Sequence, residues 1–318
     1  MACFAELPHV PFMSVEKPNV LVVMATGKMG RAACEAFRAA GYTVFGTSRD
    51  GANPSLILRG VKPIAFKIGN KASMANALAI AQGPHGLVVF LNTEPAAAKF
   101  KEAAVVAQGA AMIAACKEAD VLQVIFSSAA FCDICPADVA IVHSKLEVEK
   151  LAQKVGLNAL TILRPVSYFE NVDQPNYYNP LKKGSLKDLH QPKTLLSWVS
   201  TADVARAAVA VANDAHHWNG KILTCSSCNA TPLELAAALS AASGVPVKYS
   251  VAISQFALHW LLFPFYKFVV FMNKNPPPLA DSAPFLSLVP DAVGPAEFFK
   301  KLGKWSNGEV FAPKTIAK

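Results

Sequence analysis

The stretch from Asn19 to Asp50 most constrains this chain. An apolar run, Val20-Leu-Val-Val23, stops at Met24-Ala25-Thr26-Gly27-Lys28-Met29-Gly30. A run apolar throughout rather than alternating reads as a strand buried on both faces, as in a parallel sheet. Beyond the turn, Ala33, Ala36, Phe37 and Ala40 recur at helical spacing, and Gly41 stands where a helix C-terminal cap belongs. Tyr42 to Phe45 returns as a second strand, ending Thr47-Ser48-Arg49-Asp50. Strand, glycine turn, helix and strand within about 30 residues outline a dinucleotide-binding unit.

Each part of the turn has a physical role. Gly27 lets the backbone approach a pyrophosphate at the positive end of the helix, and Gly30 lets the helix lie close to the sheet. The usual pattern has glycine at the first turn position, where this chain has Met24. Arg49 lies nineteen residues past Gly30, at the end of the second strand. An acidic residue there would bind a ribose hydroxyl and signal NAD. An arginine beside Thr47 and Ser48 offers a cationic fork to a 2′-phosphate, so NADP(H) is the expected cofactor.

The same rhythm continues. Pro63–Ile68, Gly86–Leu91, Val121–Phe126 and Leu157–Leu163 read as strands, alternating with helices at Ser73–Ala81, Ala96–Ala119 and Asp138–Val155. Pro63 assigns the third strand to an edge. This predicts an α/β fold, a doubly wound parallel-sheet Rossmann domain. Ligands of such sheets bind beyond the C-terminal strand ends, which brings Asn92, Thr93, Ser127, Ser128 and Pro165 to the rim that holds Gly27.

Past Pro165 the rhythm breaks. Residues 168–195 read as loops, Asp203–Ala212 as a helix with Thr201 a candidate cap, and Lys221–Cys225 as a strand. Thr231-Pro232-Leu233-Glu234 opens another helix, and Val247–Val251 reads as a last strand. The expected organisation is a flexible leader at 1–17 and a nucleotide domain at 18–165, completed by about 196–228. Residues 166–195 and 229–318 form a smaller, mostly helical substrate or partner region.

Three phrases, in order, resemble the NmrA-like branch of the atypical short-chain dehydrogenase/reductase superfamily. They are the turn at 24–30, the helix phrase Ser144-Lys145-Leu-Glu-Val-Glu149, and Thr161-Ile-Leu-Arg-Pro165 with Phe169-Glu170-Asn171. The resemblance spans residues 18 to about 250. It implies a Rossmann-type NAD(P)-binding domain, in a family holding both working reductases and cofactor-binding regulators that act through a partner protein. It also implies cofactor contacts at Ala25, Thr26, Gly27, Lys28, Met29, Gly30, Ser48, Arg49, Asn92, Thr93 and Pro165. Lys145 is implied at the nicotinamide ribose and in catalysis, with Ser127 or Ser128 as the carbonyl-orienting serine. An i,i+4 pair with Glu149 is the structural alternative for Lys145.

Two further departures stand out. Lys67-Ile68 falls where the family often has Asp-Leu; the aspartate that contacts adenine is missing, and Ile68 remains as the cofactor-binding position of the pair. The active pair of the superfamily is Tyr-x-x-x-Lys on one helix face, and the position four before Lys145 is Ile141, which cannot donate a proton.

Seven cysteines in 318 residues do not make a disulfide scaffold, so a reducing, cytoplasmic setting is expected, with the nucleus or an organelle as alternatives. Cys132-Asp-Ile-Cys135 and Cys225-Ser-Ser-Cys228 admit three readings: a shared zinc site, a redox pair at 132/135, or two incidental pairs, the leading one. His143 reads as a helix-surface histidine and His216-His217 as loop residues, so no metal is assigned. The net charge of +8 is partly a lysine-rich C-terminus, and nucleic acid is not an expected partner. The aromatic run 251–272 is interrupted by Pro264 and Lys267 and reads as two short lid helices over an apolar pocket, with a protein interface or membrane contact as alternatives. Two functions follow: an NADPH-dependent reductase of a small apolar carbonyl or quinone-like acceptor, or a non-catalytic NADP(H)-binding redox-sensing regulator.

Overall fold

The structure is a computed structural model describing residues 16–93, 101–172, 180–261, 263–274 and 277–303. The first half alternates regularly: β1 (Asn19–Val22), α1 (Lys28–Ala39), β2 (Val44–Ser48), α2 (Pro54–Leu58), β3 (Lys62–Ala65), α3 (Lys71–Ala81) and β4 (Leu87–Asn92). It continues through α4 (Glu102–Glu118), β5 (Gln123–Ser127), α5 (Ala140–Lys154) and β6 (Leu160–Pro165). After β6 come β7 (Ser167–Tyr168), a 3-10 turn (Phe169–Val172), α6 (Pro180–Lys183), β8 (Ser185–Asp188) and β9 (Leu196–Val199). Next are α7 (Thr201–Asn213), α8 (Ala215–Trp218), β10 (Ile222–Cys225), β11 (Cys228–Ala230), α9 (Pro232–Ser243) and β12 (Lys248–Val251). The remainder is helical: α10 (Gln255–Leu261), α11 (Phe263–Met272), α12 (Ala283–Leu288) and α13 (Pro295–Leu302).

Seven parallel strands form one sheet in the order β3-β2-β1-β4-β5-β6-β10. The chain moves outward from β1 to β3, then crosses back to place β4 on the other side of β1. The crevice above β1 and β4 is therefore the topological switch point, where a doubly wound sheet binds ligands. Pro63 lies in β3, an edge of this sheet, where its missing N–H costs no ladder bond.

Helices cover both faces. Phe37, Ala205, Ala208 and Val211 pack under one, and Met112, Ile113, Val148 and Phe126 under the other. The close approach of α4 to α5 depends on Gly109, where a Cβ would lie 2.6 Å from a Val148 methyl. A third cluster joins Phe169, Trp198, Leu235, Phe298 and Phe299, with the Phe169 ring stacked 5.8 Å from Trp198 and 5.0 Å from Phe298. It cements the small sheet β11-β9-β7 to α9 and α13.

Several expectations need correction. Residues 168–195 are not all loop, because β7, α6 and β8 lie there; β7 and β8 pair with strands remote in sequence, a signal no local pattern carries. The cap of α7 is Ser200, whose side chain accepts from Asp203 N, and Thr201 is the first helical residue. His216 and His217 sit in the short helix α8 rather than a loop. The helix expected from Ala96 begins at Glu102 in the described residues, since 94–100 lie outside them. The helix opened by Thr231 forms as read, with a full capping box between Thr231 and Glu234.

Candidate functional site

The turn after β1 is built by sterics. Met24 adopts φ +60°, a left-handed conformation that glycine takes without strain, which explains why glycine is usual at this position. Its N–H donates to Thr47 Oγ1 at 2.8 Å, tying the turn to the end of β2, and its carbonyl accepts from Gly27 N at 3.0 Å. Gly27 is the N-cap of α1 and offers no side chain, so the helix end is open to an anion. A Cβ at Gly30 would lie 2.1 Å from the Met24 carbonyl oxygen and 2.8 Å from Ala25 Cα. Only glycine fits there, and the turn retains the cradle a dinucleotide requires. Lys28 Nζ donates to the Glu170 carbonyl, so the turn is latched to the segment after β6.

At the β2 end, Arg49 is exposed and positioned as its spacing predicts. Ser48 Oγ donates to Asp50 Oδ1 at 3.1 Å, and the same carboxylate accepts from Ala52 N. These bonds, with Arg49 adjacent, lower the Asp50 pKa. The ribose corner therefore carries both a cation and a carboxylate, the latter one residue past the position that sequence spacing singles out. Ile68 is partly buried and packs with Met24 against the α3/α4 core.

The rim beyond β4, β5 and β6 holds the polar groups in one neighbourhood. Lys145 is buried, and its ammonium donates to Thr93 O and Thr93 Oγ1, each at 2.7 Å. The helix α5 thus delivers its lysine to the end of β4, beside Asn92. Ser127 ends β5 and pairs in register with both Asn92 and Leu163. Ser128, also buried, has a side-chain hydroxyl with no hydrogen-bond partner. A buried hydroxyl costs free energy unless something bonds to it, so this orphan suits a bound oxygen or nitrogen.

One group was not found by sequence spacing. Tyr168, in β7, has its phenol next to the Ser127 side chain, close enough for the two to interact. Burial pushes its pKa well above the ordinary phenol range, so it stays protonated. It lies three residues past Pro165 and forty-one from Ser127; only the tertiary fold brings the two together.

Other family phrases turn out to be structural. Arg164 makes a two-pronged ion pair with Glu149, Nε to Oε1 at 3.1 Å and Nη2 to Oε2 at 2.7 Å, and Nη1 reaches Asp133 at 2.6 Å. Burial alone would lower the guanidinium pKa, but the Glu149 carboxylate more than offsets this and raises it. The pair welds α5 to β6. Glu170 supports the start of α7 beside the Ser200 cap, its Oε1 accepting from Thr201 N at 2.9 Å and Thr201 Oγ1 at 2.7 Å. Desolvation nonetheless raises its pKa.

Burial pushes the Cys132 thiol up to about 12 and Cys135 up to about 11, against the redox-pair reading. Among the described residues no cluster of His, Cys, Asp and Glu is arranged to hold a metal, against the zinc reading. His143 is a partly buried helix histidine 2.6 Å from Glu102. A cavity of about 340 Å³ is lined by Glu170, Asp203, Arg206 and Phe298 among others, with none of residues 251–272 in its wall.

Comparison with known proteins agrees with this geometry. No curated protein matches the chain in sequence. Among solved structures, NmrA, a negative transcriptional regulator in complex with NAD, superposes with a TM-score of 0.71 at 18% identity, covering 90% of this chain and 95% of its own. Triphenylmethane reductase of Citrobacter sp. complexed with NADP(H) gives 0.69 at 18%, covering 89% and 99%. An NADPH-dependent quinone oxidoreductase from Escherichia coli gives 0.65 at 22%, also covering 89% and 99%. At these identities the likeness is one of fold. The sequence itself matches the NmrA-like family over residues 16–272, and with the Rossmann-type NAD(P)-binding sheet and its glycine turn in place, this chain belongs to that family.

Proposed function

We propose that the protein is an NADPH-dependent reductase of a small apolar carbonyl or quinone-like acceptor. The observation that carries this reading is the group of hydroxyls at the strand-end rim: the Tyr168 phenol next to the Ser127 side chain, and the buried, unpartnered Ser128 Oγ one residue further on. NADPH, when bound, supplies the hydride. The chain supplies everything else. Gly27 and Gly30 would admit the pyrophosphate, Arg49 would answer a 2′-phosphate, and Lys145, held on Thr93, would bond the ribose hydroxyls.

Ile141 leaves α5 without the usual phenol. Tyr168 offers one from β7, and burial keeps it protonated. Ser127 orients that phenol, and Ser128 donates to the acceptor oxygen. Tyr168 would supply the proton that, with that hydride, completes a two-electron reduction of the acceptor. Ile141 also supports a second reading, a cofactor-binding regulator that acts through a partner protein.

Fluorescence titration with NADPH and NADH tests the first half. Arg49→Ala is expected to weaken NADPH by roughly tenfold or more and leave NADH unchanged; equal affinities in the parent protein refute the Arg49 argument. A screen of NADPH oxidation with quinones and aldehydes tests the second. Tyr168→Phe is expected to lower kcat by about a hundredfold with NADPH affinity intact. Tight NADPH binding with silence across the whole panel selects the regulator.

A further inference from the structure

The run 251–272 forms a helical hairpin whose outer surface is apolar. α11 packs against α5, with Lys267 Nζ 2.6 Å from Asp138, and α10 packs on α11. On the inward side Leu258, Val269, Phe271 and Met272 are buried. On the outward side Phe256 is 78% exposed, Trp260 73%, Leu261 70% and Phe263 47%. These are not scattered side chains. The His259 ring lies 5.6 Å from Trp260, 5.3 Å from Phe263 and 4.7 Å from Tyr266, and Phe256 stands 6.4 Å from Trp260. Soluble domains seldom leave a contiguous aromatic patch of this kind to water.

Charge indicates what covers it. From Leu235 to Ala280 the chain has no aspartate or glutamate, while Lys248, Lys267 and Lys274 fall in that stretch and the whole chain carries +8. A protein-binding patch ordinarily has a polar rim that fixes register. In α10 and α11 the polar side chains are confined to Gln255, His259, Tyr266 and Lys267. Phe, Trp and Leu on two helices that carry no acid of their own, with Lys267 paired to Asp138 at the start of α5 and Lys248 and Lys274 in the flanking sequence, match the interface of an anionic bilayer, where aromatic rings settle at headgroup level. No helix among the described residues is long and apolar enough to cross a membrane, so the contact lies in the interface plane.

We infer that the α10–α11 hairpin docks this protein on anionic lipid surfaces, with Phe256, Trp260, Leu261 and Phe263 entering the headgroup layer. The docking does not depend on the reaction proposed above. Its consequence does: α11 lies on α5, which carries Lys145, so a lipid-dissolved acceptor would be presented beside the candidate site.

Flotation of the full chain tests this, with vesicles of phosphatidylcholine alone and of phosphatidylcholine with phosphatidylserine. Binding is expected to the mixed vesicles, weaker as salt rises, each lysine near the surface contributing roughly fivefold. Brominated lipids are expected to quench Trp260. The double variant Phe256→Ser/Trp260→Ser is expected to lose about tenfold or more in partition with an unchanged melting curve, since both side chains are largely outside the core. Absence of flotation at low salt overturns the inference, as does undiminished binding by the double variant. A dimer that the double variant dissociates, with no vesicle binding, also overturns it and assigns the patch to a second copy.

Discussion

Substituting Arg164 by methionine tests whether the family phrases at 144–149 and 161–165 act as one structural unit. Glu149 is 1% exposed, and the Arg164 guanidinium supplies both of the bonds that satisfy its two oxygens apart from the Cys132 thiol at 3.4 Å. Arg164→Met leaves that carboxylate buried without its counter-charge, a change that costs about 3–5 kcal/mol when a buried pair is broken from one side. For a domain of about 5–15 kcal/mol total stability this is a large fraction, though not all of it. Adding Glu149→Leu removes the stranded charge, and the double variant is expected to recover more than half of the loss, because the two residues couple directly. Asp133 is half exposed, and Asp133→Asn is expected to cost less than about 1 kcal/mol. Urea unfolding followed by circular dichroism measures the parent, the double variant and the three single variants, Glu149→Leu alone included. A single-variant loss under about 1 kcal/mol, or a double-variant loss equal to the sum of the singles, refutes the claim that this ion pair joins α5 to β6.

Two further expectations concern the turn and pH. Gly30→Ala drives a Cβ to 2.1 Å from the Met24 carbonyl, so it is expected to abolish dinucleotide binding and lower stability by about 1–3 kcal/mol. Gly27→Ala meets the same oxygen at 3.4 Å and is expected to keep the fold; calorimetry and cofactor titration separate the two, and equal behaviour refutes the cradle argument. His190 is buried with an unpartnered Nδ1, and burial lowers its pKa. The unfolded chain then binds a proton that the fold does not, so this residue destabilises the protein as pH falls below the ordinary imidazole value of about 6.5. His190→Gln is expected to flatten the urea midpoint between about pH 7.5 and about pH 5.5, and a variant as acid-sensitive as the parent removes His190 from that account.

Local physics made much of the nucleotide domain legible. Buried parallel strands are apolar throughout, the longer helices between them announce themselves by spacing while the five-residue α2 does not, and the glycine at position 30 is needed within its own turn. Boundaries from β1 to β6 therefore lie within a few residues of those read from the pattern. Met24 was visible as a departure, and its φ of +60° supplies the reason glycine is usual there. The two small sheets, β11-β9-β7 and β12-β8, were hidden because β7, β8 and β9 are short and pair across long separations.

The sequence by itself determined the sheet, the turn and the position of Arg49, since each depends on residues within a single βαβ unit. Tertiary structure decided the rest. Glu149, equally available on paper to Lys145 four residues away, is bonded by Arg164 from the next strand. Tyr168, forty-one residues on in β7, comes next to Ser127 only in the tertiary fold, which puts a phenol near a site whose own helix offers Ile141. The run 251–272 is apolar whether buried or bare, because hydrophobicity does not say which face finds a partner. Packing α11 on α5 buried one side and left Phe256 and Trp260 in water.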